Sequence, residues 1–205
     1  MNRQRIIEEA RKLFVVQGIK ATTMDDIAKY VGISKRTIYE HFTDKKELIV
    51  SIMDNMRQTK DREDEELFSR TDNVLEGMLE IMKNKRFLSS REIRVMTEIR
   101  RYYPDIIVCK WKEGIAKIEK MFTKGIEEGV FKKEMNPKTA AYLFSEQSKT
   151  LFAELCEKID MDISSLRLLS DLFLNFLRGI STPKGVEIIE KHNLMIMEGY
   201  DTSVI

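Results

Sequence analysis

Residues 22–48 read TTMDDIAKYVGISKRTIYEHFTDKKEL, and their spacing decides the fold of the N-terminal part of the chain. Thr23, with Asp26 three residues on, forms the signature of a capping box. Met24, Ile27, Ala28 and Val31 then supply one apolar stripe that stops at Gly32, so a helix of about two turns is predicted. Ser34 is placed to cap the next helix, whose inward residues are Ile38 and Phe42 at i,i+4. Two short helices across a glycine-containing turn make a helix-turn-helix.

With about 100° per residue and Ile38 turned inward, Arg36 and Glu40 fall nearly opposite it, and Thr37 and Tyr39 lie on the flanks. A polar face on a short helix is ordinarily just solvated. Here, however, a guanidinium near the helix start suits guanine O6 and N7 in the major groove. Glu40 reads as an i,i+4 partner of Arg36 or as an acceptor for cytosine N4. Asp44 and Glu47 can cap a fourth helix whose first residue, Lys45, brings a backbone N–H and an ammonium to a phosphate. Upstream, Ile6, Ala10, Leu13 and Phe14 give an amphipathic helix over residues 3–17, ended by Gly18.

This run resembles the N-terminal domain of the tetracycline-repressor (TetR) family of bacterial transcription regulators. The family pattern is met by Thr23, Ile27, Ala28, Gly32, Ile33, Ser34, Tyr39, His41, Phe42 and Lys45, with one departure: Lys46 pushes the acidic residue to Glu47. The resemblance implies that Lys35, Arg36 and Thr37 contact bases, and that Thr23, Tyr39, His41 and Lys45 contact the sugar-phosphate backbone. It covers about fifty residues; the rest of the chain resembles the family only in length and helical character.

Composition agrees without deciding the matter. The 205 residues carry a net charge of +1, but residues 1–50 hold ten basic side chains against seven acidic ones. That mild excess permits a polyanion partner. No run approaches the roughly 18 apolar residues that span a bilayer, and Glu8, Glu9, Arg11 and Lys12 interrupt the segment a secretory leader would need. Two distant cysteines, Cys109 and Cys156, suit a reducing compartment, so the expectation is a cytoplasmic protein without membrane association. Cys109 reads as a small buried side chain. No phosphate-binding glycine loop and no metal-ligand spacing occurs, so neither an enzyme nor a cofactor is expected.

Beyond residue 50 the periodicity is helical throughout. The predicted fold is all-α: an N-terminal three-helix helix-turn-helix domain (residues 1–50) and a C-terminal antiparallel helical bundle (residues 51–205) for ligand binding and dimerisation. The charge-dense RQTKDREDEELF, residues 57–68, reads as an exposed helix end or loop near the division. Asn136 and Pro137 are the N-cap and first residue of a later helix. Phe144, Ser148, Leu151 and Leu155 form one seam, and Leu166, Leu169, Phe173 and Phe176 another, which together suit a four-helix interface between two copies or a deep monomer core. Met78, Met82, Met96, Tyr102, Tyr103, Trp111 and Phe122 are candidates for lining a pocket for a small apolar effector; the same stripes also suit plain core. Together with the resemblance, these features imply a homodimeric repressor that binds a pseudo-palindromic double-stranded operator and is released by a small molecule. The rival is a DNA-bound adaptor of the same fold whose C-terminal domain binds a protein.

Overall fold

The computed structural model describes residues 2–83, 90–158 and 163–198, with side chains over 2–83, 91–92, 94–147 and 171–192. The described residues form ten helices: α1 Arg3–Gln17, α2 Met24–Val31, α3 Lys35–His41, α4 Lys45–Phe68, α5 Val74–Lys83, α6 Ser90–Tyr102, α7 Pro104–Glu127, α8 Pro137–Lys158, α9 Ile163–Ile180 and α10 Pro183–Glu198. Among them the one extended pairing is an isolated bridge between Phe131 and Ser181. The fold is all-α, with the expected helix-turn-helix at its N-terminus and a helical C-terminal domain.

The chain divides into two compact units, residues 1–63 with 86–110, and residues 64–85 with 111–205. The expected boundary near residue 50 thus falls inside α4. The division lies instead within the charged stretch 57–68, which continues α4 as helix. What enlarges the N-terminal unit is α6, packed on α1. Its Ile99, together with Ile106 of α7, is buried in the same core as Ile6, Ala10, Leu13, Phe14, Ile27, Ile38, Phe42 and Leu48. A stripe such as Val95, Met96 and Ile99 declares that a helix has an apolar face but not which core receives it.

Polar bonds fasten α6 as well. The guanidinium of Arg94 donates to the carbonyls of Val15 (3.2 Å) and Val16 (3.1 Å), in the last turn of α1, where orphan carbonyls carry the negative end of the helix dipole. Glu98 accepts from the backbone N–H of Lys20 at 2.8 Å. Gly18 ends α1 at φ +86°, and a Cβ there would meet Glu98 Oε1 at 2.8 Å, so both conformation and space require glycine.

In the C-terminal unit, Val74, Leu75, Met78 and Leu79 of α5 pack with Phe122 of α7, Ala140 and Ala141 of α8, Leu174 and Leu177 of α9 and Ile189 of α10. The Asn136 side chain caps α8, accepting from Thr139 N–H at 2.9 Å, as its position before Pro137 predicts. Of the expected dimer seam, Phe144, Phe173 and Phe176 meet one another within the chain. Phe144 lies 4.8 Å from Phe173 and 5.6 Å from Phe176, ring centre to ring centre, and Phe122 stands 5.8 Å from Phe144. Phe173 is buried in this arrangement. The side chains of Ser148, Leu151, Leu155, Leu166 and Leu169 lie outside the described residues. Cys109, expected inside, is exposed.

Candidate nucleic-acid interface

The geometry of α2 and α3 is set by their caps. The Thr23 hydroxyl accepts from Asp26 N–H at 3.1 Å, and the Asp26 carboxylate accepts from the Thr23 N–H (2.9 Å) and hydroxyl (2.6 Å), which closes a full capping box. These bonds hold the Asp26 carboxyl below its ordinary pKa. Gly32, at φ +76°, ends α2 in the left-handed conformation, and the Ile33 N–H donates back to Ala28 O at 2.9 Å. Ser34 then caps α3 by accepting from Thr37 N–H at 3.0 Å. With Ile38 fully buried and Phe42 nearly so, rotation of α3 is fixed by the core.

The outward face follows. The Arg36 side chain is 89% exposed and pairs through Nε with Glu40 at 3.0 Å, so the intrahelical partner is the one observed of the two readings of Glu40. Lys35 turns toward α2 and meets Asp25 at 2.9 Å, which raises the lysine's pKa through that hydrogen bond. Thr37 shares a hydroxyl contact with Ser34 at 2.8 Å. Tyr39 is exposed, and His41 is half-buried against Phe42. Five of the expected contacts, Lys35, Arg36, Thr37, Tyr39 and His41, are thus carried on one short helix, with Thr23 at the start of α2.

Lys45 departs from its expected pose. Its ammonium donates to the carbonyls of Ile19 (2.8 Å) and Thr22 (2.9 Å), tying the start of α4 to the α1–α2 turn, and burial pushes its pKa down. The start of α4 is capped as expected: Asp44 accepts from Glu47 N–H at 2.7 Å, and Glu47 reaches back to the Thr43 N–H at 2.7 Å. The groups that sequence reasoning missed are Asp25, which steers Lys35, and the α6 pair Arg94 and Glu98, which brace the end of α1. No local pattern links residues ten or nearly eighty positions apart.

The seven candidates for the effector pocket divide between the two units. Met96, Tyr102 and Tyr103 belong to the N-terminal unit, and Met78, Met82, Trp111 and Phe122 to the C-terminal one. Met78 and Phe122 are buried core there, and Trp111 packs edge-on against Tyr142 at 5.5 Å. Among the described residues no group of three or more His, Cys, Asp or Glu side chains is placed to hold a metal ion, and no helix is long and apolar enough to cross a membrane.

A two-helix motif held by paired caps, with a solvent-facing second helix and a third helix behind it, defines a helix-turn-helix domain of the DNA-binding class. Residues 6–52, within the N-terminal domain, match the family model of bacterial regulatory proteins, tetR family. The chain is 39% identical over 59 residues to the HTH-type transcriptional regulator TtgR of Pseudomonas putida, a stretch covering 29% of this chain and 28% of TtgR. It is 51% identical over 47 residues to an HTH-type transcriptional regulator of Staphylococcus aureus strain USA300, covering 23% of this chain and 25% of the relative. The likeness to these curated relatives therefore spans only about a quarter of their length. Over the longer range the fold is shared with solved structures. A TetR-family transcriptional regulator from Pectobacterium atrosepticum matches with a TM-score of 0.70 at 20% identity, over 88% of this chain and 94% of that one. SmeT, the repressor of the Stenotrophomonas maltophilia multidrug efflux pump SmeDEF, matches with a TM-score of 0.68 at 16% identity, over 89% and 92%.

Proposed function

We propose that this chain is a transcriptional regulator of the repressor type, which binds a pseudo-palindromic DNA operator as a homodimer and is released by a small effector. The observation that carries the DNA-binding part is Arg36: an exposed guanidinium near the start of a helix whose opposite face is locked into the core by Ile38 and Phe42. Such a helix enters the major groove as a rigid body and needs no reordering to present its side chains. Lys35, Thr37 and Tyr39 flank Arg36 as further base and backbone contacts, with Thr23 and His41 at the edges. Lys45 acts differently in this reading. Its backbone N–H, at the start of α4, faces phosphate, while its ammonium holds the turn behind the recognition helix.

The homodimer is supported by the apolar seams of α8 and α9, and the release mechanism by general linkage: an effector that binds the DNA-free form more tightly lowers operator affinity by the same factor. Sequences selected from random duplexes by the full-length protein test the reading. Recovery of a two-fold-related motif, lost in Arg36→Ala, is the expected result. Retention of random sequences only would refute it.

A further inference from the structure

A cavity of about 40 Å³ lies within the N-terminal unit, where α1, α4 and α6 converge. Phe14 of α1, Ile52, Met53 and Met56 of α4, and Val95 and Met96 of α6 wall it. Among the described residues, the charged side chains on its lining are Arg11 and Glu92, and these pair with each other at 3.4 Å. A water molecule would need two to four polar partners, which an apolar wall does not supply, so the lining favours apolar atoms. Three methionines on the wall allow it to reshape around a guest larger than the resting volume, because thioether side chains change rotamer at little cost.

We propose that this cavity binds a small uncharged apolar molecule, a single aromatic ring or a short alkyl chain, and that occupancy lowers DNA affinity. The ligand is neutral because the cation and the anion at the lining already satisfy each other and leave no fixed charge for an ionic guest. The link to DNA runs through α6. A guest lodged between α6 and α1 stretches the bonds that cross that contact, namely Arg94 to the Val15 and Val16 carbonyls and Glu98 to the Lys20 N–H. Those bonds end on the last turn of α1 and on the segment leading to α2, which Lys45 ties to α4 from the other side. The site lies inside the DNA-binding unit and shares only Met96 with the pocket expected from sequence. Its regulatory consequence rests on the DNA-binding reading above.

Toluene tests the proposal on the full-length protein with labelled methionine methyl groups. The Met53, Met56 and Met96 resonances should shift saturably, those of Met78 and Met121 in the C-terminal core should not, and affinity for the selected duplex should fall at least roughly 5-fold. Val95→Phe fills the cavity and should abolish both effects while duplex binding persists; Val95→Leu serves if the larger ring prevents folding. Three unmoved resonances at toluene saturation, or equal shifts in the filled variant, would overturn the site. Saturable shifts with unchanged duplex affinity would overturn the coupling. Failure of the unliganded protein to bind any duplex would instead overturn the DNA-binding reading, and the methyl shifts would still decide the cavity.

Discussion

The ammonium of Lys45 stands 2.8 Å from the carbonyl oxygen of Ile19 and 2.9 Å from that of Thr22, so the first residue of α4 holds the turn between α1 and α2 in place. A lysine at a helix start near DNA invites the role of phosphate ligand, and the geometry gives its side chain another. Lys45→Met keeps the stem and removes the charge. It should lower stability by about 1.5 to 3 kcal/mol, the range for hydrogen bonds to a charged group, and leave the salt dependence of DNA binding unchanged. A loss of about one unit from the salt slope, with no change in melting temperature, would restore the ammonium to the phosphate.

Arg36 and Glu40 should respond in opposite directions. Arg36→Ala removes a base reader and should cost about 1 to 3 kcal/mol on the preferred site, with little effect on random duplex. Glu40→Ala removes an anion from the face that meets DNA. Binding to all sequences should strengthen, while discrimination between sequences narrows because Arg36 loses its 3.0 Å tether. Competition binding with matched and scrambled duplexes separates the two effects. Equal losses on both duplexes for Arg36→Ala would count against its role.

The cap of α2 gives a pH signature. Hydrogen bonds from Thr23 favour the charged form of Asp26, so its folded pKa lies below its unfolded one. The unfolded chain therefore binds the proton first as pH falls. The contribution of this cap is fully present above the ordinary carboxylate range and is lost as pH drops through the depressed folded value. Carboxyl-detected titration of Asp26 should show a midpoint below that of a solvated aspartate, and Thr23→Ala, which removes the hydroxyl but keeps the backbone N–H, should raise it part of the way. An ordinary midpoint in the wild-type protein would refute the capping-box account.

Much of the N-terminal domain was legible because its determinants are local. Thr23 and Ser34 cap from three residues away, Gly18 and Gly32 stop helices where they stand, and Arg36 finds Glu40 one turn on. Long-range choices were not legible. Lys35 has Asp25 in reach only after α2 and α3 have folded against each other, and the partner carbonyls of Lys45 lie more than twenty residues upstream. The assignment of α6 to the N-terminal unit depends on Arg94 and Glu98 meeting the end of α1, which periodicity cannot reveal. The aromatic residues of α8 and α9 posed the same difficulty, since an apolar stripe is equally suited to its own core and to a second copy.

The α6 contact makes its own prediction about domain size. Residues 1–63 expressed alone lack the groups that close α1, and Ile99 and Ile106 are missing from their core. Glu98→Ala in the full chain should lower the melting temperature by removing the acceptor of the Lys20 N–H, at about 1 kcal/mol. Gly18→Ala should be costlier, because φ of +86° is strained for any L side chain and the new Cβ would crowd Glu98 at 2.8 Å. Hydrogen exchange at Lys20 should accelerate in both variants. Unchanged exchange there would show that α6 does not brace the turn.

The cluster of Phe122, Phe144, Phe173 and Phe176 separates core from interface. Phe173 is buried within a single chain and lies 4.8 Å from Phe144, so its removal leaves a cavity whatever the oligomeric state. Phe173→Ala should destabilise by about 3 to 5 kcal/mol, and by the same amount at every protein concentration. Homodimerisation through α8 and α9 has a different signature: the melting temperature of the wild-type protein should climb with concentration, because assembly favours the folded state by mass action. The slope of that climb should persist in Phe173→Ala if this ring serves the core, and vanish if it serves the interface. Sedimentation of the wild-type protein as a monomer at micromolar concentration, with a flat melting temperature, would remove the homodimer and with it the two-fold operator.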